Sequence, residues 1–220
     1  MNSATASRHP FSHIYDILLD HYGPQHWWPG ETAIEVMVGA MLTQNTAWCN
    51  VERAISNLKK ADLLDAGRIL DCSDTTLANL LRPAGYFNLK STRLKNLCQL
   101  LYETGFERLQ ALPTAALRQR LLAVKGIGPE TADAILLYAF QRPVFVIDAY
   151  TRRIFSRFGL VSGSERYELL RARVEGALGA TAAIYNEYHA LIVQHAKQAC
   201  RVKPACNQCV LFLECRYTTE

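Results

Sequence analysis

The residues best suited to chemistry are a carboxylate pair, Glu130 and Asp148, and four cysteines crowded near the end of the 220-residue chain, Cys200, Cys206, Cys209 and Cys215. Glu130 follows Lys125-Gly126-Ile127-Gly128-Pro129. Two glycines there permit positive φ and close approach by another molecule. Pro129 suits the first position of a helix whose apolar face is Ala132, Ile135, Leu136 and Ala139. With the apolar run Leu121, Leu122 and Val124 before it, the stretch reads as helix, glycine hairpin, helix. It offers backbone N–H groups and a helix N-terminus to an anion, and a DNA phosphate is the natural ligand. Gly-x-Gly before a helix also serves as an ordinary tight connection. Likewise Glu130 is favoured in a first turn by the helix dipole, and Asp148 stands where an N-cap belongs.

Cys-x5-Cys-x2-Cys-x5-Cys suits four thiolates around one centre, and both zinc and a [4Fe-4S] cluster accept four cysteines. Spacing does not choose between them. Arg201 and Lys203 lie between the first two cysteines, so a ligated loop would present two cations to phosphate. Cys49, Cys72 and Cys98 are scattered in helix-like segments and read as buried thiols. Trp27, Trp28 and Trp48 are all the tryptophans present. Three indoles can enclose a flat extruded base and favour a cationic one, or can simply cover the core beneath a Pro-rich loop.

The span from the Gly-x-Gly hairpin to Asp148 resembles the helix-hairpin-helix DNA glycosylases of the endonuclease III superfamily, whose motif ends in an aspartate at this place. The resemblance covers about residues 11–217 and implies an all-α, two-domain glycosylase fold with a C-terminal four-cysteine metal-cluster loop. Bifunctional members carry a catalytic lysine two residues past the second glycine, where this chain has Glu130. A carboxylate there removes the expected Schiff-base nucleophile, so the expectation is base release without strand cleavage. Asp148, as a carboxylate, would stabilise the charge developing on the sugar or orient the attacking water.

Leu42-Thr43-Gln44-Asn45-Thr46 resembles the superfamily loop that puts a glutamine into the gap left by a flipped base; the bland reading of Gln44 is a polar bridge between helices. Tyr86, after Ala84-Gly85, is the candidate wedge, unless it anchors the turn to the core. Lys125, Gly126, Ile127 and Gly128 would contact DNA, and the superfamily implies a monovalent cation under the hairpin carbonyls. The tryptophan loop is similar to that of the 3-methyladenine glycosylases of the superfamily, which also have glutamate in place of lysine but can lack the cysteine cluster. The resemblance favours [4Fe-4S], although its commonest pattern has six residues in the first gap and this chain has five. Competing readings are a bifunctional glycosylase and abasic-site lyase using Lys125 or Lys197, and a non-catalytic damage-binding protein.

These groups need a scaffold. Half the residues are apolar, enough for a substantial core, and no run is long enough to cross a bilayer. The start lacks a signal-peptide apolar core, which points to the cytoplasm. The net charge of +4 permits a nucleic-acid partner without diagnosing one; the expected partner is double-stranded damaged DNA, bound by a monomer. Helical periodicity covers about residues 11–22, 32–42, 46–60, two short helices within 63–81, 91–104, 114–124, 149–158, 164–177 and 182–197. The first should be a docking helix, and the strand-like run of residues 144–147 a buried connector. The expected domains are a helical barrel, residues 29–147, and a cluster domain of residues 1–28 plus 148–220.

Overall fold

A computed structural model describes residues 9–27 and 30–217, and every regular element among them is a helix. The first six α-helices are α1 (Pro10–Tyr22), α2 (Ala33–Leu42), α3 (Trp48–Lys60), α4 (Ala66–Asp71), α5 (Asp74–Leu81) and α6 (Phe87–Thr104). Then follow α7 (Phe106–Gln110), α8 (Thr114–Leu122), α9 (Pro129–Tyr138), α10 (Ala149–Phe158), α11 (Tyr167–Leu178) and α12 (Ala182–Gln198). The chain divides into two units, Trp28–Arg142, and Met1–Trp27 with Pro143–Glu220.

In the first unit α2 is buried nearly all round, from Val36 to Leu42, which makes it the central helix. On α3 the buried residues Val51, Ala54, Ile55 and Leu58 recur at helical spacing and give it one core face. That face meets Val38, Leu77, Leu81 and Leu94 in one apolar cluster. Asp133 of α9 is fully buried and takes a bidentate pair from Arg118 of α8, at 2.6 and 3.1 Å, which fixes the two helices flanking the glycine hairpin.

Local signals set several helix ends. Ser73 caps α5 by accepting from the Thr76 N–H, and Asp65 caps α4 through the Arg68 N–H. Two elements of this unit differ from expectation. Helix α6 begins at Phe87, four residues earlier than predicted, because Tyr86 adopts a left-handed N-cap conformation that turns the Gly-containing segment directly into helix. Helix α7 escaped prediction because it is a single short turn, pinned by Phe106 stacking on Phe140 at 4.9 Å.

In the second unit α1 lies against α11 and α12, burying Phe11, Ile14 and Leu18. Its ring Phe11 meets Phe155 at 4.9 Å, and its carbonyl accepts the buried Tyr188 hydroxyl at 2.8 Å. This is the docking role expected of it. Val144–Ile147 is fully buried, yet side chains replace a strand partner: the Phe145 N–H donates to Glu175 and the Ile147 N–H to the Tyr167 hydroxyl. Helix α11 starts at Tyr167 rather than Ser164 because the Glu165 carboxylate takes the Ser162 and Gly163 N–H groups and holds a turn there.

Candidate nucleic-acid interface and base-release site

Within the unit Trp28–Arg142, three exposed segments carry the predicted interface residues. In the hairpin, Gly126 has φ +103°, and a Cβ would stand 2.4 Å from Arg93 Cγ, so only glycine fits. Gly128 differs. It caps α9 at φ −93° and a Cβ would meet nothing within 4 Å. Ile127 turns inward, 6% exposed, with its N–H given to Val124 O. The hairpin therefore presents Lys125, Gly126, Gly128 and the exposed Glu130 of the first turn, and not the Ile127 side chain.

The Gln44 carboxamide is half-buried and fully used. Its Nε2 donates to Gly126 O at 3.1 Å and to Thr131 Oγ1 at 2.9 Å, while Arg93 Nη1 donates to its Oε1. In the DNA-free protein Gln44 is thus the polar bridge of the bland reading, tied to the hairpin. Tyr86 resolves the other way. It is 66% exposed at φ 44°, ψ 34°, a strained conformation for a non-glycine residue, while its neighbour Phe87 packs on the core.

Trp48 donates its indole N–H to Glu52 at 2.8 Å and lines a cavity of about 460 Å³ with Glu31, Glu35, Glu52 and Lys59. Lys59 pairs with Glu35 and Glu31 at 2.8 and 3.1 Å, and these hydrogen bonds raise its pKa. The wall combines an aromatic face with carboxylates. Trp28 lies outside the described residues.

In the other unit Asp148 is the N-cap of α10, accepting the Thr151 N–H at 2.7 Å. Its second oxygen is 3.5 Å from His189 Nε2 on α12, and the side chain is 14% exposed. Burial pushes the Asp148 carboxyl up, but the His189 ring beside it and the Thr151 N–H outweigh it and hold the pKa below the usual carboxylate value. Trp27 stacks on His189 with ring centroids 5.9 Å apart and 17° between planes. The cap and the charge-stabilising reading of Asp148 are therefore compatible in one side chain.

The cysteine tail is anchored by residues that sequence reasoning missed. Arg157 of α10 donates to Arg201 O at 2.6 Å and Val202 O at 2.9 Å, and stands 3.4 Å from Cys200 Sγ. His195 is fully buried, and burial pushes its pKa down to about 4, so its ring is neutral at pH 7 with one donor and one acceptor nitrogen. It joins Tyr22 OH at 2.9 Å to Cys209 Sγ at 3.5 Å. A histidine five residues before the first clustered cysteine was the available signal. Burial raises the Cys209 pKa, against a backbone hydrogen bond at Leu211, and the charges of Cys200, Cys215 and Cys206 add to the rise. Among the described residues, no three His, Cys, Asp or Glu side chains gather closely enough to hold a single metal ion. Arg201 and Lys203 are exposed, as expected of phosphate-contacting cations.

Solved structures place this fold among DNA glycosylases. The chain is similar to H. pylori 3-methyladenine DNA glycosylase bound to 1,N6-ethenoadenine, with 32% identity, a TM-score of 0.73, and coverage of 86% of this chain and 97% of that one. It shares the fold of endonuclease III in a non-covalent DNA complex, at a TM-score of 0.81 and 17% identity over 93% of each chain. Residues 38–178 match the model of the HhH-GPD superfamily base excision DNA repair proteins, and the chain belongs to that superfamily. Its class is DNA glycosylase of base excision repair. A Methanocaldococcus jannaschii protein provisionally named a DNA repair glycosylase is 50% identical over 200 residues, 89% of this chain and 91% of its own. Endonuclease III of Sulfolobus acidocaldarius is 28% identical over 183 residues, 82% and 80% of the two chains. No helix among the described residues is long and apolar enough to cross a membrane.

Proposed function

We propose that the protein is a monofunctional glycosylase that hydrolyses the N-glycosidic bond of damaged bases in duplex DNA, with alkylated purines such as 3-methyladenine as substrates. It would act as a monomer in the cytoplasm. The observation that carries the reading is the pairing of types: Asp148 is held ionised by Thr151 and His189, and Glu130 occupies the hairpin position where a lyase has its amine. An ionised Asp148 stabilises positive charge on the sugar as the base leaves. A 3-methylated adenine is already cationic, so its departure needs little acid assistance, and selectivity falls to aromatic surfaces such as Trp27 and Trp48. The likeness to the H. pylori 3-methyladenine enzyme supports the same class of base. Gly128 lies exposed at the start of α9 with open space where a Cβ would stand, which leaves room for close approach by a phosphate.

Lys90 is the lysine with a lowered pKa, the usual mark of a Schiff-base amine, but its Nζ is buried against two carbonyls and is not available as a nucleophile. Lys125 and Lys197 are exposed and remain the amines of the competing lyase reading. Duplexes carrying single lesions, incubated and then split between alkaline treatment and none, test the proposal. Breaks that need alkali are expected for alkylated purines. Breaks without alkali, with a borohydride-trapped adduct abolished by Lys125→Ala or Lys197→Ala, would install the lyase.

The reading includes a [4Fe-4S] cluster held by Cys200, Cys206, Cys209 and Cys215. The four closely spaced cysteines, none of them in a disulfide, supply the thiolates that such a cluster takes. When bound, the cluster would cross-link the tail and brace the loop of Arg201 and Lys203. Visible charge-transfer absorption with about four irons per chain is expected; stoichiometric zinc in colourless protein would refute it. A monovalent cation at the hairpin has fewer free lone pairs than expected, because Lys125 O accepts from Asn96 and Gly126 O from Gln44.

A further inference from the structure

Three side chains on one face of α6 reach all three exposed segments of the Trp28–Arg142 unit. Lys90 Nζ donates to Leu42 O and Ala84 O, both at 2.8 Å. Leu42 ends α2 immediately before the Gln44 loop, and Ala84 ends the turn immediately before Gly85-Tyr86. Arg93 donates to Gln44 Oε1, and its stem packs on the Cα of Gly126. Asn96 Nδ2 donates to Lys125 O at 2.9 Å. Spacing of three residues puts Lys90, Arg93 and Asn96 along one side of the helix.

We propose that this stripe holds the Gln44 loop, the Tyr86 turn and the glycine hairpin in fixed register for entry into the duplex, with Lys90 the positioning residue that ties the first two together. The inference rests on the glycosylase reading and deepens it. Lys90 is only 3% exposed, at a position that otherwise continues the buried row Leu94, Leu97 and Leu101. An aliphatic side chain there would serve packing alone. A buried ammonium near the N-terminus of a helix is disfavoured by desolvation and by the helix dipole, and the desolvation lowers its pKa to about 8. What it supplies is donors to two carbonyls that have run out of helix, the end of α2 and the end of the 3-10 turn. Both loops it ties hold strained residues, Asn45 at φ 54° and Tyr86 at φ 44°. Such conformations persist only where the surroundings over-determine them. The carboxamide of Gln44 is oriented from both sides, by Arg93 on its oxygen and by Gly126 and Thr131 on its nitrogen.

The test compares binding of a duplex with one abasic site and of the same duplex undamaged, with 2-aminopurine opposite the abasic position reporting insertion into the stack. Thermal unfolding corrects each affinity for the folded fraction. Lys90→Met should lower the abasic-to-undamaged affinity ratio about ten- to a hundredfold and suppress the fluorescence change, as expected when recognition groups are misplaced by about an ångström. Lys90→Gln, which keeps N–H donors, should recover part of both. Arg93→Ala, which removes the donor to Gln44 Oε1 but leaves the two backbone carbonyls held by Lys90 paired, should reduce the fluorescence change and keep the fold. If Lys90→Met does not fold, Lys90→Gln and Arg93→Ala decide the matter. An unchanged ratio and unchanged fluorescence in folded variants overturn the stripe, since a purely structural role lowers both affinities in proportion. If the unmodified protein does not distinguish abasic from undamaged duplex, the glycosylase reading itself falls, and the stripe with it.

Discussion

Lys90 and Asp148, one in each unit, are both ionisable groups withdrawn from water, and their surroundings treat them oppositely. Burial, and after it the neighbouring Arg93 charge, pushes the Lys90 ammonium towards neutrality although two carbonyls accept from it. Around Asp148 there are an N–H and a histidine, so the carboxylate is kept charged against its own burial. A group that only positions loops can use hydrogen bonds that a neutral amine also makes. A group that must meet developing positive charge has to remain an anion. The difference matches what the two proposed roles, holding loops and stabilising charge, would each require.

The strongest way to break this comparison is Asp148→Asn, which keeps an oxygen for the Thr151 cap and removes the charge. Single-turnover base release should fall about 10²- to 10⁴-fold while abasic-duplex binding changes only severalfold. Equal losses in both would reduce Asp148 to a cap. Next, His189→Leu leaves Asp148 buried without its main counter-charge. The unmodified enzyme should keep its activity as pH falls to the ordinary carboxylate range, because the folded pKa lies below it. In the variant burial is no longer outweighed, so the acid limb of the excision profile should move to higher pH. Stability follows the same sign. Asp148 contributes above its unfolded pKa and loses that contribution as pH falls through its lower folded pKa, and the variant should lack this term.

The Lys90 side of the comparison predicts the reverse trend in alkali. The unfolded chain holds the Lys90 proton up to the ordinary value of 10.5, while the folded protein releases it near 8. Between those values the unfolded state binds more protons, so stability should rise with pH. Measured against Lys90→Met, the rise should be about 1–2 kcal/mol after solvent screening is allowed for. A flat difference would show that the amine is not desolvated. The smallest effect sharpens the glycine contrast. Gly126→Ala should lower stability by about 1–3 kcal/mol through its positive φ and the Arg93 contact. Gly128→Ala should melt normally yet bind undamaged duplex severalfold less tightly.

The parts of this molecule that were legible in sequence depend on residues within a few positions of one another. Helix periodicity, Pro129 opening α9 and Asp148 capping α10 through Thr151 need only local spacing, because a cap or a turn is completed by residues two to four apart. Tyr86 against Phe87 was not decidable that way. Which ring faces water depends on a left-handed backbone at residue 86 and on a core assembled from distant helices. The Asp148, His189 and Trp27 arrangement joins residues up to 162 positions apart in the chain, and no periodicity encodes which histidine on α12 meets the cap of α10.

The sequence by itself determined most of the helices, the glycine hairpin, the cysteine spacing and the carboxylate where an amine would stand. Only the tertiary structure decided what each charged group faces. A lysine at a core position reads as an anomaly until the carbonyls of Leu42 and Ala84 are brought to it. An aspartate at an N-cap reads as structural until a histidine sets its charge. The physical reason is that desolvation and Coulomb interaction act through space over a few ångströms, and proximity on that scale is created by packing rather than by order along the chain.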